Sequence, residues 1–244
     1  KRQIVTCGGL CPGLNDVIKG LVYVLNMEYN VSDVFGIRYG YTGLTQSSSF
    51  PPIALDVFTV DKIHNQGGTI LGSSRENQDP KEMVDEPISL NINILFCIGG
   101  DGTLRGAMAI AKEIAERNLK ISVIGIPKTI DNDINFVEKT FGFETAVQVA
   151  TQVISSAHSE AEGAENGIGI VKLMGRDSGF IAATATLANS VVDFCLVPEA
   201  CFSLRGSNGL IESLAIKLKE KKHAVVIVAE GAGQELFGEV SANN

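Results

Sequence analysis

Residues 93–107, NILFCIGGDGTLRGA, decide how the rest of the chain is read. The apolar run 94–98 has the length and β-branched content of a buried strand. It breaks at Gly99-Gly100-Asp101-Gly102-Thr103, after which Leu104, Ala107, Met108, Ala111, Ile114 and Ala115 recur at helical spacing. A glycine-rich turn between strand and helix lets backbone N–H groups approach a phosphate at the positive helix end. Asp101, fixed in that turn, can hold Mg²⁺ on the phosphate oxygens. The same residues also suit a tight turn whose Asp caps the helix, and short glycine motifs recur in unrelated proteins.

Working outward, a second strand at 121–126 runs into Pro127-Lys128-Thr129-Ile130-Asp131-Asn132-Asp133. A third, 168–173, runs into Met174-Gly175-Arg176-Asp177-Ser178-Gly179 and then a helix of small residues. In open parallel sheets the C-terminal strand ends are where ligands bind. Towards the N-terminus, 3–7 reads as a strand and Gly8–Gly13 as a turn. The helix after it has Leu14, Val17, Ile18, Leu21, Val22 and Leu25 on its apolar face. A strand at 34–39 ends in Gly40-Tyr41-Thr42-Gly43, 46–52 (QSSSFPP) reads as a surface loop, and 67–75 is a glycine-rich turn ending on Arg75. A composition change at 140–144 marks a domain boundary, followed by a helix with Phe143, Ala146, Val147, Ala150, Val153, Ile154 and Ala157 on one stripe. Beyond it come a helix at 178–188, a strand at 192–197, a helix at 209–220 and a strand at 224–229. There is no internal repeat at solenoid period. Alternating strand and helix predict an α/β fold with a parallel sheet covered on both faces.

The 244 residues suffice for one large or two moderate domains, and 45% hydrophobic with 20% charged residues is ordinary soluble composition. A net charge of −8 argues against nucleic acid or an anionic membrane as partner, so a phosphate ligand needs locally placed cations. No apolar run approaches the roughly 20 residues of a membrane span, and no signal-peptide pattern opens the chain as given. Cys7, Cys11, Cys97, Cys195 and Cys201 are odd in number and lack zinc-site spacing, which points to reduced thiols inside a cell.

GGDGT, PKTIDND and MGRDSGF, with CGGLCPGLN near the start, together resemble the 6-phosphofructokinases, and the match runs from the first strand to about Gly233. NAD kinases and diacylglycerol kinases share turns like GGDGT, but not MGR or the rest of PKTIDND. The resemblance implies two similar three-layer α/β/α domains with mostly parallel sheets and an active site in the cleft between them. Residues 1–142 would hold the nucleotide and residues 143–244 the sugar phosphate. It implies ATP-dependent phosphorylation of fructose 6-phosphate to fructose 1,6-bisphosphate, with Mg²⁺, in a cytoplasmic homotetramer or dimer, a plastid form being compatible.

Residue by residue, the resemblance makes Asp131 the general base, Thr129 and Asp133 its catalytic neighbours, and Asp101 the Mg²⁺ ligand. It places Gly8, Gly102, Thr103 and Gly106 at the nucleotide, with Arg75 across the transferring phosphoryl group. It places Met174, Gly175, Arg176 and Glu199 around fructose 6-phosphate. The residue chemistry agrees in type. Phosphoryl transfer asks mainly for positioning and charge stabilisation, and Gly8 and Gly9 with the 99–103 turn can cradle donor phosphates. Asp131 can accept a hydroxyl proton, and in an extended segment Thr129, Asp131 and Asp133 share one face. Asp-Asn-Asp is equally turn chemistry. Arg176 can bind a phosphate in a fork, and Glu199 can accept sugar hydroxyls. Against these, Arg75 and Arg176 also suit solvated surface positions and Met174 a core. His64, His158 and His223 have no identifiable partner in the sequence.

Gly102 leaves room behind Asp101 for an α-phosphate, where the pyrophosphate-using branch has an Asp. Lys128 precedes TIDND as in pyrophosphate-using enzymes, and as a point charge at the donor it suits either donor. Together with KLMGRDSGFIA and VAEGAGQ, the pair resembles the plant-type, long-chain, ATP-dependent branch. The rival readings are a pyrophosphate-dependent enzyme, a non-catalytic binding or regulatory subunit, and a truncated piece. Departures from the branch are Glu76-Asn77-Gln78 after Arg75, Gly167 where short enzymes have an arginine, and the end at Asn244. The family's His- and Arg-containing stretch for the sugar 6-phosphate would follow there, so the chain is expected to be most of an enzyme.

Overall fold

The computed structural model describes residues 1–45, 49–75 and 78–237, and the chain divides into two compact units, Lys1–Thr129 and Ile130–Asn244. The division falls earlier than the composition change at 140–144 would put it. The first part of the QSSSFPP loop (46–48), the Glu76-Asn77 pair and the C-terminal 238–244 lie outside the described residues.

The first unit runs β1 (Arg2–Thr6), α1 (Leu14–Met27), β2 (Val34–Ile37), β3 (Ile53–Ala54), α2 (Pro80–Ser89), β4 (Ile94–Gly99), α3 (Asp101–Glu116) and β5 (Ser122–Pro127). Its sheet has the order β3-β2-β1-β4-β5. All neighbours are parallel except β3, which is antiparallel to β2. The chain leaves β1 for β2 on one side and reaches β4 on the other, so β1 and β4 flank a topological switch point. Such a point opens a crevice at the C-terminal strand ends, and the 7–13 and 99–103 turns sit there.

β2 stops at Ile37 because Tyr39 takes a left-handed backbone (φ 58°) that a strand cannot continue. Helix α2 gives little periodic signal, since PKEMVDEPIS carries an internal Pro87. Its start is set instead by Asp79, whose carboxylate accepts the Lys81 N–H at 2.9 Å, with Pro80 in the first turn. Helix α3 buries Thr103, Ala107, Ile110 and Ile114, while Met108 (70% exposed) and Ala115 face outward. The expected stripe was therefore too wide: positions 108 and 115 stand about 100° round the helix from 107 and 114. On α1 the expected Leu14, Ile18, Val22 and Leu25 are buried, together with a polar residue, Asn15. Asn15 donates to the Gln66 carbonyl (3.0 Å) and accepts the Ile70 N–H (2.9 Å), pinning the loop that leads to Arg75.

The second unit runs α4 (Phe143–Glu162), β6 (Gly167–Leu173), α5 (Phe180–Leu187), β7 (Phe194–Leu196), α6 (Leu210–Lys221) and β8 (His223–Ala229). Its parallel sheet has the order β6-β8-β7 among the described residues. Ala150 and Ile154 of α4 and Ala182 and Ala185 of α5 close over Val171, Val225 and Ile227. Val153, expected on the buried stripe of α4, is 47% exposed, because the packed line runs through 150, 154 and 161.

The histidines do have neighbours. His64 Nδ1 lies 3.1 Å from Lys19 Nζ, and His158 and His223 meet edge to face with ring centres 5.1 Å apart. All five cysteines are free. No helix among the described residues is long and apolar enough to cross a membrane.

Candidate active site

In the first unit the turns after β1, β4 and β5 converge on Gly8. The Gly8 N–H donates to the Ser74 carbonyl (2.9 Å), and the Ser73 hydroxyl donates to the Gly8 carbonyl (2.6 Å). The 67–75 loop is thereby tied beside the first strand end. Gly8 has φ +83°, and a side chain begun there would start 3.8 Å from Lys128 Nζ and 3.9 Å from the Thr103 hydroxyl. One begun at Gly9 would start 3.3 Å from an Arg75 guanidinium nitrogen. Lys128 is buried and its N–H donates to the Gly99 carbonyl at 2.9 Å, extending the β4–β5 pairing by one step. Two bare glycines, a hydroxyl and two cations thus lie side by side, a fitting environment for phosphate oxygens.

The glycines of the 99–103 turn are there for different reasons. A side chain at Gly99 would run into Thr103, with 2.5 Å to its Cβ, so the fold itself requires Gly99. At Gly102 a side chain would meet nothing within 4 Å, and the residue is exposed at the start of α3. The fold places no demand for glycine at 102. Gly106 is needed for packing, since a side chain there would stand 2.5 Å from the Tyr41 ring. Asp101 does not cap α3: the capping position is Gly100, without a side-chain bond, and Asp101 stands exposed in the first turn. No group of three or more His, Cys, Asp or Glu side chains able to hold a metal occurs among the described residues. A lone carboxylate at a helix N-terminus, an end that suits a phosphate, is still compatible with Mg²⁺, which binds one or two carboxylates and completes its shell with phosphates and water.

Beneath these turns lies a buried layer of Tyr41, Cys7 and Cys97. The Tyr41 hydroxyl donates to the Thr103 carbonyl at 2.6 Å. Burial, with the neighbouring Cys97 and Cys7, holds that phenol well above its ordinary range. Burial likewise pushes the Cys7 and Cys97 thiols up to about 12. These groups are neutral supports under the first turn of α3.

The 129–133 segment is not extended. It bends at Ile130–Asp131, and Asn132 is left-handed (φ 58°), so strand alternation does not place Thr129, Asp131 and Asp133 on a common face. Asn132 supplies the turn chemistry: its side chain accepts the Thr140 N–H (2.8 Å) and donates to the Glu138 carbonyl (3.2 Å). Thr129 ends the first unit, and Asp131 and Asp133 belong to the second.

In the second unit the turn after β6 is tightly built. Gly175 (φ +152°) accepts the Ser178 N–H at 2.8 Å, and Ser178 Oγ reaches the Gly175 and Asp131 carbonyls (3.0 and 3.2 Å). This brings the Asp131 backbone to the Met174–Gly179 turn. Glu199, after the end of β7, accepts the Gly179 N–H at 2.8 Å. Met174 is 56% exposed, so it is not core filler, and Arg176 is exposed with φ 49°. The predicted acceptor-side residues Met174, Gly175, Arg176 and Glu199 thus gather at one turn, with Asp131 tied in through Ser178. Sequence reasoning passed over Ser73, Tyr41, Ser178 and Glu230. The first three stand within or beside quoted motifs but act through backbone bonds, which residue type alone does not announce.

Fold and turns together define a doubly wound α/β protein whose glycines, cations and carboxylates gather at C-terminal strand ends. The phosphofructokinase family model matches residues 1–243, and the chain belongs to the phosphofructokinase family. It is 53% identical over 243 residues to the ATP-dependent 6-phosphofructokinase of Borreliella burgdorferi, covering 97% of this chain and 54% of that protein. It is 53% identical over 236 residues to ATP-dependent 6-phosphofructokinase 1 of Arabidopsis thaliana, covering 97% of this chain and 49% of that protein. The chain therefore spans about half the length of the curated relatives it matches. Among solved structures, a pyrophosphate-dependent phosphofructokinase from Marinobacter aquaeolei superposes with a TM-score of 0.83 at 22% identity, over 95% of this chain and 61% of that one. The T-state phosphofructokinase of Pichia pastoris gives 0.81 at 26% identity, over 95% and 26%.

Proposed function

We propose that the protein phosphorylates fructose 6-phosphate at its 1-hydroxyl with ATP, giving fructose 1,6-bisphosphate and ADP, in cytoplasmic glycolysis. The observation that carries the reading is the open space at Gly102. A glycine that the fold does not need, beside an exposed Asp101 at a helix N-terminus, leaves room for the remainder of a nucleotide beyond the β-phosphate. Similarity to ATP-dependent relatives, plant ones included, supports the same donor. Lys128 does not discriminate, because a buried ammonium beside Gly8 suits the phosphates of either donor.

In this reading Gly8, Thr103 and Lys128 receive the donor phosphates, and the Arg75 guanidinium offsets charge developing on the transferring group. Asp101 would hold Mg²⁺, which would supply further neutralisation of the phosphate oxygens. Asp131, with Thr129 and Asp133 as neighbours, takes the proton of the acceptor hydroxyl. Arg176 holds the sugar phosphate in a fork, and Glu199 and the Met174-Gly175 backbone orient the sugar. Incubating the protein with fructose 6-phosphate, ATP and Mg²⁺ and following fructose 1,6-bisphosphate by ³¹P NMR tests the proposal. A bisphosphate signal that grows with ADP supports it, and ATP hydrolysis or no turnover contradicts it.

A further inference from the structure

We propose that Ser178 is a positioning residue for Asp131: its buried hydroxyl ties the backbone of the proposed base to the turn that carries Arg176. The inference rests on the reading of Asp131 as the base given above.

The turn to which Asp131 is tied is itself held in place. The Ser178 N–H donates to the Gly175 carbonyl at 2.8 Å, and a side chain at Gly175 would collide with the Ser178 carbonyl. Glu230, just past β8, accepts the Arg176 N–H at 2.6 Å, so the same turn is also fixed to the end of the sheet. Helix α5 starts at Phe180 and buries Ile181 and Ala182 at once. Ser178 stands between these anchors and is only 7% exposed.

A serine in a turn ordinarily bonds its own turn, three or four residues back. The nearer oxygen here, the Gly175 carbonyl at 3.0 Å, fits that habit. That carbonyl already accepts the Ser178 N–H, however, so the hydroxyl there only repeats a bond the turn has made. The second oxygen in reach is the Asp131 carbonyl at 3.2 Å, 47 positions away in sequence. A hydroxyl has one proton to give. Given to Asp131, it joins two segments that the chain keeps far apart.

On its other side the same peptide unit is set by Asn132. This residue is left-handed at φ 58°, and its side chain accepts the Thr140 N–H at 2.8 Å and donates to the Glu138 carbonyl at 3.2 Å. The Asp131–Asn132 peptide is therefore held at its carbonyl by Ser178 and at its next residue by the 138–140 segment. A fixed peptide limits the direction of the Asp131 Cα–Cβ bond, leaving the carboxylate a few staggered rotamers. A general base must come within about 2.6–3.2 Å of the group it deprotonates, and a misplacement of about 1 Å can cost roughly 10²-fold. The hydroxyl of Ser178 thus sets where the base stands relative to the acceptor turn.

The test is a double-mutant cycle of Ser178→Ala and Asp131→Asn in the whole protein, with ATP, Mg²⁺ and fructose 6-phosphate. Ser178→Ala alone should lower kcat and kcat/KM for fructose 6-phosphate by the same factor, roughly 10–100-fold, the mark of an interaction used in the transition state. Ser178→Cys, close in size and a weak donor, should lie between the parent and Ser178→Ala. Asp131→Asn keeps the backbone carbonyl but not the base, so adding Ser178→Ala to it should lower turnover little further. A loss retained in full in that background would overturn the proposal, because it marks general support of the turn. So would a kcat for Ser178→Ala equal to the parent's. If the parent does not phosphorylate fructose 6-phosphate, the functional reading fails. The ¹³C carbonyl resonance of Asp131 then decides whether Ser178 holds it: it should shift in Ser178→Ala, and an unmoved resonance would overturn the link itself.

Discussion

The N–H of Gly179 donates to Oε1 of Glu199 at 2.8 Å, and a side chain begun at Gly179 would stand 2.8 Å from the other oxygen of that carboxylate. Glu199 is thus seated on the turn that carries Arg176, by a bond that only a bare backbone permits. Gly179→Ala should push Glu199 away and strain Val197, whose Cβ would be 2.5 Å distant. We expect a stability loss of about 1–3 kcal/mol, typical of overpacking, with a higher KM for fructose 6-phosphate. Urea unfolding and initial-rate kinetics check both, and unchanged values would remove Glu199 from the acceptor site.

Asp131→Asn removes the proposed base but keeps the size of the side chain and the carbonyl that accepts from Ser178. Turnover should fall roughly 10²–10⁴-fold, the usual worth of general-base catalysis, with ATP affinity little changed. Steady-state kinetics beside calorimetric ATP titration separates the two effects, and undiminished turnover would exclude Asp131.

Asp101→Asn should raise the Mg²⁺ concentration needed for half-maximal rate without moving the melting temperature, because Asp101 caps nothing and is exposed. Superimposable metal titrations of mutant and parent would remove Asp101 as the ligand.

Most strands were legible because buried parallel strands are continuous apolar runs and their helices carry periodic stripes. The GGDGT, PKTIDND and MGRDSGF turns fell at strand ends, as read. What was not legible depended on contacts rather than on pattern. Asn132 bends a segment that alternation would have kept straight, and α2 hides behind Pro87. Met108 and Val153 were placed inside because apolar spacing fixes a stripe only to within about one position. Glu230, inside the quoted VAEGAGQ, gave no sign that its partner would be a backbone N–H 54 positions away.

The buried pair of Gln3 and Glu86 makes stability depend on pH. Gln3 Nε2 donates to Glu86 Oε2 at 2.6 Å, while Gln3 Oε1 and Glu86 Oε1 are buried with no partner among the described residues. Burial holds the Glu86 carboxyl above its ordinary 4.5, with the Gln3 bond opposing. A group whose pKa is raised on folding stabilises fully below its unfolded pKa and loses that contribution as pH rises through the folded value. Glu86→Gln stays neutral and can donate to the unpartnered Gln3 oxygen. It should gain about 1 kcal/mol over the parent at pH 8, with the gap closing towards pH 4. Chemical unfolding at both pH values reads this, and a gap that widens on acidification would contradict it.

Thiol reactivity should follow burial. Cys7 and Cys97 are buried with pKa values pushed up to about 12, Cys11 is also buried, and Cys201 is exposed. An uncharged maleimide at pH 7 should label Cys201 in the folded protein and the three buried thiols only on unfolding. Peptide mapping by mass spectrometry decides it, and early labelling of Cys97 would contradict the packing described.

The most direct test of the central claim is the phosphoryl donor. Initial rates of fructose 6-phosphate phosphorylation are measured with ATP and with pyrophosphate at equal Mg²⁺, in the parent and in Gly102→Asp. Space for a side chain exists at 102, so the substitution leaves the fold intact. It would set a carboxylate against an anionic α-phosphate, a like-charge contact that costs several kcal/mol. The account predicts rapid turnover with ATP, little or none with pyrophosphate, and a kcat/KM for ATP at least about 100-fold lower in Gly102→Asp. Faster turnover from pyrophosphate than from ATP in the parent would contradict it and transfer the choice of donor to Lys128.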